Sequence, residues 1–223
     1  MSKIPKDKQT YWVKNSLLIV FLSLTLITIL GQTYTGWLEH NDFLKEKGAD
    51  ALTLGSYLSS GHFIQATFEN WESEFLQMGL YIMLTVSLYQ KGSSESKSLD
   101  EDDEAENEPV AGPKAPWPVN RGGFILKIYK NSLSLVFILL FLLTWAAHFY
   151  GSLKDHNTEE LLDGKPAVTA MEFIAMPKFW FESFQNWQSE FLAVASIVFF
   201  SIYLRQKGSA QSKPVDTPND ENE

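Results

Sequence analysis

Asn70-Trp71-Glu72-Ser73-Glu74-Phe75-Leu76 returns as Asn186-Trp187-Gln188-Ser189-Glu190-Phe191-Leu192, 116 residues later. The same offset carries Lys14-Asn15-Ser16-Leu17 onto Lys130-Asn131-Ser132-Leu133, and Gln90-Lys91-Gly92-Ser93 onto Gln206-Lys207-Gly208-Ser209. Between 14–97 and 130–213 about a third of positions are identical without a gap. Each heptapeptide opens a short apolar run, 75–89 or 191–204, and each short run follows a longer one, 16–35 or 132–151. The long runs carry no charge over about 20 residues, enough at 1.5 Å per residue to cross a ~30 Å hydrocarbon core. Counted from its Trp, each short run reaches about 27 Å and has an interfacial aromatic at one end. A long run beside a short one, twice, predicts an all-α integral membrane protein. Its four transmembrane helices form two tandem parallel hairpin repeats, with spans at about 16–35, 71–89, 132–151 and 187–204. A soluble helical bundle is the competing reading. It leaves the uncharged 20-residue runs without a reason.

Basic residues set the orientation. Of 18 Lys and Arg, 13 lie in the N-terminal tail, the central linker and the C-terminal tail, and five in the loops at 36–70 and 152–186. The positive-inside rule therefore places both termini and the linker in the cytoplasm, and the net charge of −9 does not oppose it because acidic residues weigh little. The first run is too long for a signal peptide and lacks an A-x-A-like cleavage site, so it reads as a mature helix. An even number of spans per unit makes the units parallel, related by an axis along the membrane normal. With no Cys there is no disulfide framework and no thiolate metal site. The acidic balance and the membrane runs argue against nucleic acid as a partner.

The chain then divides into a basic tail (1–13), a first hairpin (14–97), a linker (98–129), a second hairpin (130–213) and an acidic tail (214–223). The acidic run Asp100–Glu108 and its Pro- and Gly-rich continuation cannot bury a core and read as a solvated spacer. A docking or cation-binding role for that run is the alternative. The two external loops, about 35 residues each, are long for structureless connections. Their aromatic segments, Leu52–Phe68 and Val168–Phe184, predict a helix in the outer interface continuous with the following span. Pro177 would begin it in the second unit, and Gly61 stands at the equivalent place in the first.

Helical spacing puts Asn70, Ser73, Glu74 and Gln77 on one face, repeated as Asn186, Ser189 and Glu190. Trp71 and Trp187 are the interfacial anchors. A carboxylate in the first turn of a span is costly unless paired, hydrated or protonated, so Glu74 and Glu190 form the centre of a candidate polar patch. A capped helix start locking two hairpins together is the plainer reading of the same residues. Glu69 and Glu72 become Gln185 and Gln188 in the second unit, so their charges do not belong to the shared design. His148 is the only His in an apolar run, and Gln32 is its counterpart at similar depth. With Glu74 and Glu190, His148 could complete a proton relay or a metal-dependent site, though no metalloenzyme spacing supports one. At the cytoplasmic ends Lys91, Arg205 and Lys207 favour the helix dipole and anionic lipid headgroups. No nucleotide-binding loop, no GxSxG and no Ser/His/Asp pattern occurs, so no catalytic residue, metal ligand set or cofactor is assigned.

Phe68, Asn70, Trp71, Ser73, Glu74, Phe75 and Leu76, with their counterparts Phe184 to Leu192, form an FxNWxSEFL pattern. Arg205-Gln206-Lys207-Gly208-Ser209 with Ser212 and Lys213 gives RQKGSxxSK. Together they resemble a bacterial family of small membrane proteins known only as a domain of unknown function. The first unit departs from it in having Tyr89 where the second has Arg205. The resemblance implies a bacterial inner-membrane location and supplies no activity. The expected function is non-enzymatic, either structural or a small cation or proton conduit built around the paired carboxylates. An intramembrane enzyme using His148 with Glu74 and Glu190 is the alternative. The bilayer, and a second copy or another membrane protein, are the expected partners. Reporter fusions at residue 105 and at the C-terminus should both read cytoplasmic, and a periplasmic signal from either would overturn the topology.

Overall fold

The computed structural model describes residues 10–99 and 107–220. Most of the basic tail, most of the acidic run Asp100–Glu108 and the last three residues lie outside the described residues. Among those described, all regular structure is helical and no strand occurs. The helices are α1 (Tyr11–Lys14), α2 (Ser16–Glu46), α3 (Leu54–Tyr57), α4 (Gly61–Leu84), α5 (Trp117–Arg121), α6 (Gly123–Lys130), α7 (Ser132–Leu162), α8 (Ala170–Ile174) and α9 (Pro177–Tyr203).

Two of them, α2 and α7, are long and apolar enough to cross a membrane, with mean hydropathy of 2.0 and 2.1 over their most apolar stretches. Each has 31 residues, about 46 Å at 1.5 Å per residue, and so outruns a ~30 Å core. The sequence reading ended the runs at residues 35 and 151; the helices continue to Glu46 and Leu162. Helix-forming Leu, Glu and Lys follow, with no proline to stop them. Both begin just after an Asn whose side chain closes the preceding turn. Asn15 Nδ2 donates to the Tyr11 carbonyl and Asn131 Nδ2 to the Lys127 carbonyl, each at 2.8 Å.

The helices α4 and α9 start at Gly61 and Pro177 and run without a break through Trp71 and Trp187, as the aromatic loop segments predict. Proline suits the first helical position because the N–H it lacks would have no partner there. Both helices are more polar than α2 and α7. The end of α4 at Leu84 falls short of the expected Tyr89. There Lys97 Nζ reaches back to the Val86 carbonyl at 2.8 Å, meeting by side chain what another helical turn would have met by backbone.

The chain falls into two compact units. One comprises the residues through Thr67 together with Ala147–Ala175; the other comprises Phe68–Ala146 and Met176 onward. In the first, each long helix clamps the loop that follows it. Asn41 Oδ1 accepts from Leu52 N at 2.7 Å while its Nδ2 donates to the Leu52 carbonyl at 3.0 Å. Asn157 does the same to Val168 at the same two distances. Trp37 Nε1 adds a second bond to the Leu52 carbonyl at 2.7 Å. The loops then turn into the short α3 and α8, capped by Thr53 and Thr169, and bury Tyr57 and Phe173. Lys47 Nζ and Asp163 Oδ1, just past the two helix ends, join at 2.6 Å.

Close backbone approach organises this unit. A Cβ on Gly61 would fall on the backbone of Asp155, and a Cβ on Gly151 would fall on the backbone of Gln65. The first turns of α4 therefore cross the last turns of α7 with backbone against backbone. Helices approach this closely only where side chains are absent at the crossing. Gly36 likewise leaves room for the Tyr57 hydroxyl.

The second unit holds the rest of α4 and α7 with all of α9. Gly79 lies under Ile138, Phe75 meets Phe137 at 6.3 Å, and Trp145 sets its ring edge-on to the fully buried Phe179 at 5.7 Å. Below the helices, Gly92 and Gly208 take left-handed backbone at φ 83° and 84°. Ser96 Oγ accepts from Gln90 N at 2.7 Å and Ser212 Oγ from Gln206 N at 2.9 Å, closing two similar turns.

Gly151→Ala should lower the thermal midpoint in detergent, by about 1–3 kcal/mol or more of stability, because the backbone it meets cannot yield as a side chain can. Gly31, in the same kind of helix but with open space around it, is the control: Gly31→Ala should leave the midpoint level or raise it slightly. Equal midpoints for the two variants would contradict the close crossing.

Candidate functional site

Past Thr67 the buried positions of α4 are Glu72, Ser73, Leu76 and Gly79, while Asn70, Trp71, Glu74 and Met78 are exposed. The inward face is thus turned by about one residue from the one that sequence spacing singles out. Gly79 and Leu76 explain the choice, since the seam against α7 needs a small residue at the Ile138 contact. Glu72 lies fully buried, and its Oε1 accepts from Trp187 Nε1 at 3.1 Å. Trp187 is half-buried, edge-on to Phe141 at 6.2 Å and Phe184 at 5.6 Å. Its indole N–H faces a carboxylate within the unit. Trp71 is 37% exposed and edge-on to Phe68 at 5.4 Å.

The other members of the predicted patch divide between local and cross-helix contacts. Ser73 Oγ donates to the Asn70 carbonyl and Ser189 Oγ to the Asn186 carbonyl, both at 2.8 Å. Asn186 Nδ2 donates to the Glu182 carbonyl at 3.1 Å. These bonds lie within one helix and fix its surface. Gln77 Nε2 crosses from α4 to the backbone carbonyl of Glu190 on α9 at 2.7 Å. Glu74 is exposed on α4 and Glu190 half-buried on α9. Another carboxylate pair lies one to two turns earlier on each helix. Glu69 on α4 and Glu182 on α9 offer oxygens within 4.8 Å of one another. Lys178 Nζ reaches Glu182 Oε1 at 3.3 Å from one turn before. The sequence reading set Glu69 and Glu72 aside because their counterparts are Gln. The signal it lacked was Glu182, whose own counterpart is Ala66. The pair is built from two positions that the 116-residue offset does not relate.

Below these groups the seam between α4 and α9 turns apolar. A cleft of about 410 Å³ there is lined by Leu80, Leu84, Phe191, Val194 and Val198, with Gln77 at one edge.

In the first unit Gln32 Nε2 donates to Thr67 Oγ1 at 3.4 Å, and His148 is fully buried. A second polar chain occurs there that the spacing of the sequence does not suggest. His62 Nε2 meets Glu39 Oε2 at 3.3 Å, His62 Nδ1 meets the Tyr57 hydroxyl at 3.0 Å, and His40 stacks on His62 at 4.8 Å. Burial, reinforced by the Glu39 and Asp155 charges, pushes the Tyr57 phenol up to about 12, so it serves as a neutral hydrogen-bonding group. At the rim, the hydrogen bond from Lys47 holds the Asp163 carboxyl below its ordinary range. Lys91 and Lys207, beyond the ends of α4 and α9, are exposed. Arg205 instead directs its guanidinium to the Thr217 carbonyl and Asn219 Oδ1, both at 3.0 Å, and to the end of α9. It ties down the C-terminal tail.

The fold is that of a helical protein with two apolar helices of membrane length. The chain belongs to the family described as Domain of unknown function (DUF6766), whose model matches residues 8–223. No curated protein and no solved structure matches it.

Replacing Glu72 by Leu should strand the Trp187 indole N–H and cost about 1–3 kcal/mol. Trp187→Phe in the Glu72→Leu background should then cost clearly less than it does alone. Thermal melts of the four proteins give the coupling, and strictly additive midpoints would remove the bond from the account.

Proposed function

We propose that this chain is a four-span bacterial inner-membrane protein of two tandem parallel hairpins, with both termini in the cytoplasm. It acts as a non-enzymatic scaffold whose outer-side carboxylates bind a cation or a proton. Spans 71–89 and 187–204 join α2 and α7 in this reading, since α4 and α9 begin with an aromatic stretch suited to the interface and continue into apolar runs. The observation that carries the binding role is the approach of Glu69 and Glu182 to within 4.8 Å. Two carboxylates at that separation repel unless a proton or cation lies between them, and Lys178 Nζ stands 3.3 Å from Glu182 Oε1 at the same place. Glu74 and Glu190 extend the negative field inward by a turn or two.

Passage through the membrane is disfavoured by the seam below. The cleft between α4 and α9 offers almost no polar group past Gln77 until Tyr81. An ion leaving the carboxylates would meet Leu and Val, at the cost of desolvation. The cation would therefore act as a strut between the two aromatic helices. A second copy or another membrane protein would be held through the apolar faces that α2 and α9 leave exposed.

Millimolar divalent cation should raise the thermal midpoint of the wild-type protein in detergent by several degrees, following mass action on the folded state. The Glu69→Gln/Glu182→Gln double variant should melt at a midpoint indifferent to the cation. Proteoliposomes of the wild type should show no cation or proton flux. An equal cation response in the double variant would sink the strut, and measurable flux would restore a conduit.

A further inference from the structure

A polar cleft of about 290 Å³ opens in the first unit, between the turn that joins α3 to α4 and the last turns of α7. Its size lies at the small end of ligand sites, suited to a molecule of a few non-hydrogen atoms. One wall is Ser59, Ser60 and Gly61, the N-terminus of the 24-residue α4; the other is Lys154, Asp155 and Thr158; His40 contributes from α2. None of these residues takes part in the carboxylate pair.

Three features distinguish the cleft from a surface dimple. His40 is 5% exposed and makes no hydrogen bond among the described residues, although it lines the cleft. A ring nitrogen that lines a cleft can hydrogen-bond to whatever fills it. Lys154 Nζ is directed to the Ser59 carbonyl at 2.5 Å, which brings an ammonium to the positive end of α4. Ser60 Oγ accepts from Phe63 N at 3.2 Å and keeps its O–H to donate. Together they make a carboxylate-accepting end. Asp155, 7% exposed and next to Lys154 in the chain, supplies the opposite charge.

We propose that this cleft binds a small zwitterion of amino-acid type, its carboxylate at Lys154, Ser60 and the N-terminus of α4, and its ammonium toward Asp155, with His40 as a further partner. A simple anion would face Asp155, and a simple cation would face Lys154 and the helix end. A molecule carrying both charges a few ångströms apart satisfies both walls. The stretch 116 residues later could not do this: Ala175, Met176 and Pro177 stand where Ser59, Ser60 and Gly61 stand, removing two hydroxyls and one helix N–H.

Calorimetric titration of the full-length protein in detergent, with glycine, alanine and serine as zwitterions and acetate and ethylammonium as single-charge probes, tests the assignment. At least one amino acid should bind at least tenfold more tightly than either single-charge probe. Lys154→Met and Asp155→Asn should each weaken it at least tenfold. The comparison of probes uses wild-type protein and so stands whether or not either variant folds. Heat from no amino acid, equal binding of acetate or ethylammonium, or wild-type affinity in both folded variants would overturn it.

Discussion

The crossing of α4 on α7 through Gly61 and Gly151 is the contact on which the first unit depends. With backbone against backbone, the helices cannot slide or rotate without collision, so every group carried by their ends is placed by that contact. It sets Ser59 and Ser60 opposite Lys154 and Asp155. The Asn41 and Asn157 clamps then fold the loops back along the helices that precede them. Tyr57 is delivered beneath Gly36, and the polar chain of Glu39, His62 and Tyr57 follows from its position. A methyl group at either glycine would disturb a cleft and a hydrogen-bonded chain at once, although Gly151 belongs to neither.

Helix boundaries were legible where a residue imposes them. Pro177 can only start a helix, and α9 starts there; Gly61, 116 residues earlier, starts α4. Length and apolarity were equally plain for α2 and α7. What spacing could not supply was the face each helix turns inward. The pattern Asn70, Ser73, Glu74, Gln77 is a sound helical stripe, yet helical periodicity is equally satisfied by Glu72, Leu76 and Gly79. The partner helix made the choice, and Gly79 was the one residue in that stretch that hinted at it.

Comparison of the two halves also misled in a physically instructive way. A charge that changes between counterparts lies outside the shared design, but it lacks a role of its own only if the counterparts occupy equivalent surroundings. Glu72 is fully buried and bonded to Trp187, whereas its counterpart Gln188 is exposed. The carboxylate pair joins Glu69 to Glu182, and the polar chain uses Tyr57 and His62 where the later stretch has Phe173 and Lys178. The groups that stand out chemically lie where the halves differ. The groups they share, such as the Asn clamps and the serine-closed turns, hold the backbone.

Lys47 and Asp163 carry that contrast to its limit, since they stand 116 positions apart, at corresponding places, and bond to each other at 2.6 Å. In an assembly of two identical hairpins, a residue on the rotation axis can only meet itself: lysine would face lysine, or aspartate would face aspartate. Opposite charges at corresponding positions are available only once the two halves differ in sequence there. That single bond makes the ends of the two long helices chemically distinct, lysine beyond one and aspartate beyond the other, and any partner that reads it can tell them apart.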